Sequence, residues 1–222
     1  MRYLHRSTLA LLLIGALSVL GCSSSPGGPS TTPETTTATT SAPRARPTTP
    51  IADMMITGAQ GDYTVEAVAP DVIANFKILR VGNLPKAASP PECAAGLGLV
   101  GNHAAVMATN KQGKGDAIVV ADSLSAPVAE YVTTCHEVTA PPATGAVTIS
   151  SEPFAVYGMP DAQKIVQKGG IMLDGAGATF DDWTIVGTVR GLVVIGSPDS
   201  QSTPEVFAKL LEAQAAKILA AP

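Results

Sequence analysis

The sequence predicts an α+β fold in which a mostly antiparallel sheet packs with a few helices, and the chain ends in a β-hairpin followed by a C-terminal helix. Three observations lead to this prediction. Short apolar runs alternate with polar residues or turn residues along the middle of the chain, as in half-buried strands. Two β-branched runs late in the chain flank one tight turn. The end of the chain carries apolar side chains at helical spacing.

The predicted strands follow from residue type and alternation. Residues 183–189 and 192–195 are rich in β-branched side chains, which favour strands. Arg190 and Gly191 stand between these two runs, and the glycine supplies the positive φ that a tight hairpin turn requires. The other predicted strands are residues 63–68, 76–81, 103–109 and 117–121.

Two short helices are predicted from their first residues. Pro91 and Glu92 open one that carries Cys93, because a proline and an acid suit the first turn of a helix. Ser125 is the expected cap of the other, which covers residues 126–134.

The C-terminal helix has the strongest start signal in the chain. Ser202 and Thr203 offer a hydroxyl cap, and Pro204 and Glu205 place a proline and an acid in the first turn. An apolar stripe follows at helical spacing and is expected to pack against the sheet. The stripe comprises Val206, Phe207, Leu210, Leu211, Ala215 and Ile218.

The N-terminus predicts a targeting signal. Basic residues occupy the first positions, residues 9–20 are almost entirely apolar, and Val19, Leu20 and Gly21 precede Cys22. This segment resembles the bacterial lipoprotein signal, whose final cysteine becomes the mature N-terminus and is diacylated with fatty acids such as palmitate. Residues 1–21 are then the signal peptide, and Cys22 anchors the protein to the extracytoplasmic face of the cell membrane. The alternatives are an ordinary secretory signal or an uncleaved membrane helix, although the apolar run is shorter than the roughly 20 residues that span a bilayer.

Residues 22–50 are predicted to be a disordered linker. They are nearly all Ser, Thr, Pro, Gly and Ala, a composition that buries too little apolar surface to offset its ordering entropy. The linker either carries O-linked sugars or acts only as a spacer. The remaining residues 51–222 have the length of one domain.

The charge of that domain argues against nucleic acid as a partner. Residues 51–222 contain ten Lys plus Arg and seventeen Asp plus Glu, a net charge of −7. Binding of phosphates needs clustered basic residues, and so does docking on anionic lipid. The expected contact with the membrane is therefore the lipid anchor alone.

Cys93 and Cys135 are expected to form a disulfide, since an exported protein meets an oxidising compartment. The alternatives are a nucleophilic Cys135 beside His136, or a metal site that uses His103 and His136. Adjacent residues of a strand point to opposite faces, which argues against activation of Cys135 by His136. The two histidines and scattered carboxylates offer few metal ligands.

Residues 89–95, with the sequence Ser-Pro-Pro-Glu-Cys-Ala-Ala, carry a resemblance in the predicted domain. Together with a second cysteine after a helix, a late hairpin and a C-terminal helix, they resemble an uncharacterised domain family of mycobacterial surface lipoproteins. That family is distantly similar to the extracellular sensor domain of mycobacterial receptor Ser/Thr kinases. The resemblance implies that Cys93 and Cys135 form the family's first disulfide. The second disulfide that many members have is missing, because residues 181–198 contain no cysteine.

Other motifs are assigned no function. Residues 96–101 match the G-x-G-x-x-G string of dinucleotide-binding proteins, but they do not follow a strand and open a helix. Asp181 and Asp182 are adjacent carboxylates and are expected in a solvated turn. They are not assigned as a glycosidase pair, because the two catalytic carboxylates of a glycosidase face each other across roughly 5 to 9 Å. Residues 169–170 and 175–177 are expected to be glycine-containing loops. No catalytic residue, cofactor or metal is predicted.

The sequence thus predicts a non-catalytic, sensor-like lipoprotein that binds an envelope lipid, glycan or small ligand. A protein–protein accessory module for an envelope enzyme, transporter or kinase is the alternative, and a hydrolase is the third. A pocket with convergent polar groups would favour the first function. A large exposed apolar patch would favour the second.

Replacing Cys22 with Ala tests the anchor. We expect the variant to leave the membrane fraction for the soluble exported fraction, because the acylated thiol is lost. Fractionation followed by immunoblotting measures this, and a Ser23→Ala variant is the control. Retention of Cys22→Ala in the membrane fraction would contradict the lipid anchor.

Overall fold

A long antiparallel sheet organises the chain. In the computed structural model the described residues are 44–69, 73, 77–78, 89–93, 95–113, 115–139, 145–173, 176–198 and 202–222. The predicted signal peptide, Cys22 and most of the predicted linker lie outside these residues. These described residues belong to one compact unit.

Nine of the described strands follow one another across the sheet in the order β1-β2-β4-β5-β10-β9-β8-β7-β6, and β3 pairs separately with β4. Every strand pair is antiparallel. The strands are β1 Gly58–Gln60, β2 Tyr63–Ala67, β3 Lys77–Ile78, β4 Leu97–Asn110, β5 Gly115–Leu124, β6 Glu137–Thr139, β7 Ala146–Pro153, β8 Gln163–Leu173, β9 Ala176–Val189 and β10 Leu192–Ser197.

The described helices are few. Helix α1 is Val128–Thr134, helix α2 is Pro204–Ala220, and short 3-10 segments occupy Ile51–Met54 and Pro91–Cys93. A sheet of this size with a C-terminal hairpin and a C-terminal helix confirms the predicted α+β fold. None of the helices within the described ranges is long and apolar enough to span a membrane.

The sheet separates two hydrophobic cores, one on each face. The first core contains α2 and the segment Ile51–Met54, and it is built on residues such as Ile118, Ile185 and Phe207. The second core contains α1 and the two cysteines, with Val119 and Ile195 among its buried residues. Neighbouring residues of one strand belong to different cores because successive side chains point to opposite faces.

The β9–β10 hairpin lies near the centre of the sheet, as its β-branched composition predicts. Its two-residue turn is Arg190-Gly191, with φ of 50° and 76°, as in the type I′ turns that suit the twist of a hairpin. Strand β10 pairs on its other side with β5. This confirms the predicted hairpin and its turn.

Helix α2 packs tightly onto the hairpin. Thr203 caps the helix by accepting a hydrogen bond from the Val206 amide. The Phe207 ring lies over Gly196 so closely that a Cβ there would come within 2.3 Å of it, and it meets Trp183 edge to face at 5.9 Å. Val206, predicted to lie in the buried stripe, is instead 46% exposed and lines a concave surface beside the β1–β2 and β4–β5 turns.

The domain begins earlier than residue 51. Residues 44–50, assigned to the linker by composition, contact the other end of the chain. The Thr48 amide donates to the Pro222 carbonyl at 3.0 Å. Arg190 Nε donates to the Ala45 carbonyl at 2.7 Å, and Arg46 pairs with Asp122. Hydrogen bonds to distant residues stabilise this segment, which composition cannot reveal.

Three turn or loop predictions prove to be strand. Of the loop predicted at residues 175–177, Ala176 and Gly177 lie at the start of β9, and residue 175 is outside the described residues. Asp181 and Asp182 lie within β9, and Asp181 pairs with Lys168 across the strands at 2.9 Å. Gly169 and Gly170 lie within β8. The side chains of Phe180 and Val147 come within 2.9 Å of where a Cβ of Gly169 would be. The glycine is therefore needed to make room for these side chains, not to form a turn.

One remaining strand prediction is described in part, and the predicted Ser125 cap is wrong. The strand predicted at residues 76–81 is described only at Lys77–Ile78. Residues 97–101 of the G-x-G-x-x-G string lie inside β4. Ser125 does not cap α1; its hydroxyl accepts from the Gly98 amide at 3.0 Å.

Gln214 provides a test of how α2 holds the N-terminal 3-10 segment. Its fully buried side chain accepts from the Ile56 amide at 3.0 Å and donates to the Met54 carbonyl at 2.8 Å. Gln214→Leu leaves both buried backbone groups unpaired, so we expect unfolding free energy to fall by about 2–4 kcal/mol in urea titrations. Gln112→Leu, at an exposed position, should change it by less than about 0.5 kcal/mol. Equal effects would contradict this role.

Candidate functional site

A groove of about 400 Å³ lies on the sheet face that carries α1. Four neighbouring strands, β5, β10, β9 and β8, form its floor, and the chain that leads into α1 forms its roof. The floor consists of Ser123, Val193, Val186, Gly187, Thr188 and Gln163, and the roof of Leu124, Ala126, Pro127 and Val128. Asp161 completes the lining beside the start of β8.

Strand register brings the floor residues together. Val193 pairs with Thr188 of β9 and, on its other side, with Ala121 of β5. Gln163 pairs with Val186. Residues two apart on a strand share a face, so Val186 and Thr188 both point into the groove.

The roof and α1, which continues from it, are together fixed at both ends. At the start, the Ser125 amide donates to the Gly98 carbonyl at 2.9 Å, and the Ser125 hydroxyl accepts from the Gly98 amide. Helix α1 then begins at Val128 without a side-chain cap. At the other end, Cys135 forms the disulfide to Cys93, with 5.6 Å between the Cα atoms.

Tyr131 adds a second link between α1 and Cys93, besides the disulfide. Its hydroxyl donates to the Cys93 carbonyl at 2.7 Å, and only 7% of the residue is exposed. Burial raises the pKa of the Tyr131 hydroxyl to about 12. The helix is thus held to Cys93 by a covalent bond and by a buried hydrogen bond.

Two polar side chains of the lining differ in how they are satisfied. Asp161 accepts from the Thr188 amide at 2.8 Å and from the Thr188 hydroxyl at 2.7 Å. Gln163 Oε1 is buried and has no hydrogen-bond partner among the described residues. A buried acceptor without a donor is costly in a folded protein and calls for an explanation.

The groove has an acidic rather than a basic character. Asp161 is the ionisable residue of its described lining, and no lysine or arginine is part of that lining. Lys164, the residue after Gln163, points to the opposite face of β8, where it pairs with Glu152 at 2.8 Å. The groove therefore offers apolar surface, the carboxylate of Asp161 and neutral polar groups such as the Ser123 hydroxyl and the Gln163 amide, and its described lining has no lysine or arginine.

Three other concave surfaces among the described residues are larger but hold paired polar groups. The smallest of the three, of about 530 Å³, includes the pairs Lys164–Glu152 and Lys168–Asp181. Another, of about 650 Å³, lies under residues 46–50 and includes Asp122, which accepts from the Asn102 amide at 2.8 Å as well as pairing with Arg46. The largest, of about 740 Å³ beside α2, includes the exposed pair of Lys111 and Asp62 at 2.7 Å. That contact lowers the pKa of Asp62 and raises the pKa of Lys111.

The structure confirms the disulfide between Cys93 and Cys135. Cys135 is therefore not a free thiol beside His136. Nδ1 of His103 lies 3.0 Å from the Gly101 carbonyl oxygen, and Nδ1 of His136 lies 3.3 Å from that of Thr133. Within the described ranges, no group of three or more His, Cys, Asp or Glu is placed to bind a metal.

Sequence analysis did not identify the groove. Asp161 and Gln163 belong to no motif, and β8 was not predicted as a strand. The alternation of apolar residues in β9 and β10 could indicate that one face of the hairpin holds Val186 and Val193. Comparison with protein-family models, curated proteins and solved structures gave no match.

Tyr131→Phe tests the second link between α1 and Cys93. At pH 7 we expect the loss of one buried hydrogen bond to lower the unfolding free energy by about 1 kcal/mol. The raised pKa means that the folded state keeps the hydroxyl proton more tightly than the unfolded state, whose pKa is about 10. The stability of the natural protein should therefore fall as the pH rises from about 10 to about 12, relative to that of the variant.

Urea unfolding of both proteins at several values of pH, followed by circular dichroism, measures this difference. Tyr157→Phe is the matched control because Tyr157 is 78% exposed. A constant difference between natural protein and Tyr131→Phe across that range would contradict a Tyr131 hydroxyl that stays protonated in the folded state.

Proposed function

We propose that this protein is a lipid-anchored extracytoplasmic binding protein that holds a small apolar or amphipathic ligand in the groove beneath α1. The observation that carries the proposal is the groove itself, which combines apolar side chains on floor and roof, such as Val193 and Leu124, with a buried, unpartnered acceptor, Gln163 Oε1. Small-molecule sites typically pair apolar walls with a few convergent polar groups. The proposed role is binding without catalysis.

The size and lining of the groove favour some ligands over others. A volume of about 400 Å³ is within the range of small-molecule sites, roughly 300–1,000 Å³. Its lining includes Leu124, Val128, Val186 and Val193, which favours an acyl chain or a compact apolar ring system. Among envelope molecules, a lipid or a small apolar metabolite fits this surface better than a bare glycan.

A protein partner is the second candidate function. Tyr157 is 78% exposed and lies beside α2, where its amide approaches Glu212 Oε1 at 3.4 Å. Exposed tyrosines are enriched at protein interfaces. This feature supports an accessory module, but a single side chain supports it less than the groove supports a ligand.

Native mass spectrometry tests the proposal. The exported chain with Cys22→Ala, which keeps residues 44–50, is incubated with an envelope lipid extract. We expect a reproducible added mass. Val193→Phe should abolish it, because the larger side chain fills the floor of the groove.

Val100→Phe is the matched control, since Val100 is 46% exposed and outside the groove. It should retain the added mass. Loss of the added mass in both variants, or its persistence in Val193→Phe, would argue against the groove as the binding site. A spectrum without any added mass would favour the protein-partner function, which crosslinking at Tyr157 would then test.

A further inference from the structure

We infer that the groove selects ligands that donate a hydrogen bond from an uncharged or positively charged group, and that it rejects anionic ligands such as fatty acid carboxylates. This inference rests on the proposed binding function and specifies its ligand class. It follows from the arrangement of two of the polar side chains of the lining, Gln163 and Asp161, and from the absence of basic residues in the described lining.

The donor requirement comes from Gln163. Its Oε1 atom is buried and unpartnered, and the side chain of its cross-strand neighbour Val186 has no hydrogen-bond donor. A ligand hydroxyl, amide N–H or ammonium that reaches this oxygen would satisfy it. A ligand without a donor would leave Oε1 unpaired in an apolar surrounding, so it would bind without the favourable free energy of that hydrogen bond.

The rejection of anions comes from Asp161. Each of its carboxylate oxygens accepts one bond from Thr188, which fixes the charged group at the groove. An ionised carboxylate has room for about four donors in all, so it can still accept from a ligand. A second negative charge beside it would be repelled and, without a basic residue in the lining, would be buried unpaired.

Apolar probes that differ only in their polar end can test this selectivity. 1-Octanol and 1-methoxyheptane have the same atoms, but only the alcohol donates a hydrogen bond. Octylammonium and octanoate carry opposite charges at pH 7.5. Each is titrated into the exported Cys22→Ala chain, and binding at the groove is located by NMR shifts of the Gly187 and Thr188 amides.

We expect 1-octanol to bind about tenfold more tightly than 1-methoxyheptane, as one hydrogen bond to a buried acceptor would give. Octylammonium should bind at least as tightly as the alcohol. Octanoate should bind at least about tenfold more weakly. Asp161→Asn, which keeps an acceptor for the Thr188 amide, should bring octanoate closer to the alcohol.

Gln163→Leu removes the acceptor and keeps an apolar side chain of similar size. In this variant the alcohol and the ether should bind within about twofold of each other. The melting temperature should not fall, because no bond within the described protein is lost. Gln167→Leu, on the same strand but outside the groove, should retain the tenfold preference.

The possible results separate this inference from the function on which it rests. If octanoate binds as tightly as 1-octanol, or if Gln163→Leu still prefers the alcohol tenfold, the inferred selectivity is wrong while the groove remains a binding site. If none of the four probes shifts the Gly187 and Thr188 amides, both the selectivity and the proposed binding function are wrong.

Discussion

The central strands of this sheet are apolar on both faces, and the rest of the domain depends on how the two faces are covered. Ile118 and Val119 of β5 belong to different hydrophobic cores, as do Val194 and Ile195 of β10. Burial of such side chains is the main favourable contribution to folding. Each face therefore needs its own cover, and the chain supplies a different one to each.

The unequal covers explain why the groove forms on only one face. Helix α2 spans 17 residues and buries Phe207 against Gly196, whereas α1 has 7 residues and is thus about 10 Å long. The short helix is held at its far end by the disulfide, so it covers the neighbouring core but leaves the floor around Val193 and Thr188 open. The groove is the part of the second face that α1 reaches only with its first residue, Val128.

The β9–β10 turn connects this arrangement to both ends of the described chain. Arg190 donates to carbonyl groups of Ala45, Ile218 and Ala221. It therefore stabilises the C-terminus of α2, where carbonyls lack partners within the helix, and holds the segment that enters the domain. Arg190 thus has two roles: its backbone forms the turn, at φ 50°, and its side chain binds the three carbonyl groups.

The sequence by itself determined what depends on near neighbours: the hairpin around Gly191, the cap of α2 at Thr203 and, through the count of cysteines, the Cys93–Cys135 disulfide. These follow from backbone propensity, hydrogen-bonding groups and thiol chemistry. Tertiary structure alone decided that Gly169 lies in a strand, that Val206 is exposed and that Gln163 Oε1 is buried without a partner. Those outcomes depend on which strands become neighbours in space, and residues such as Gln163 and Val186 meet only through the register of β8 on β9.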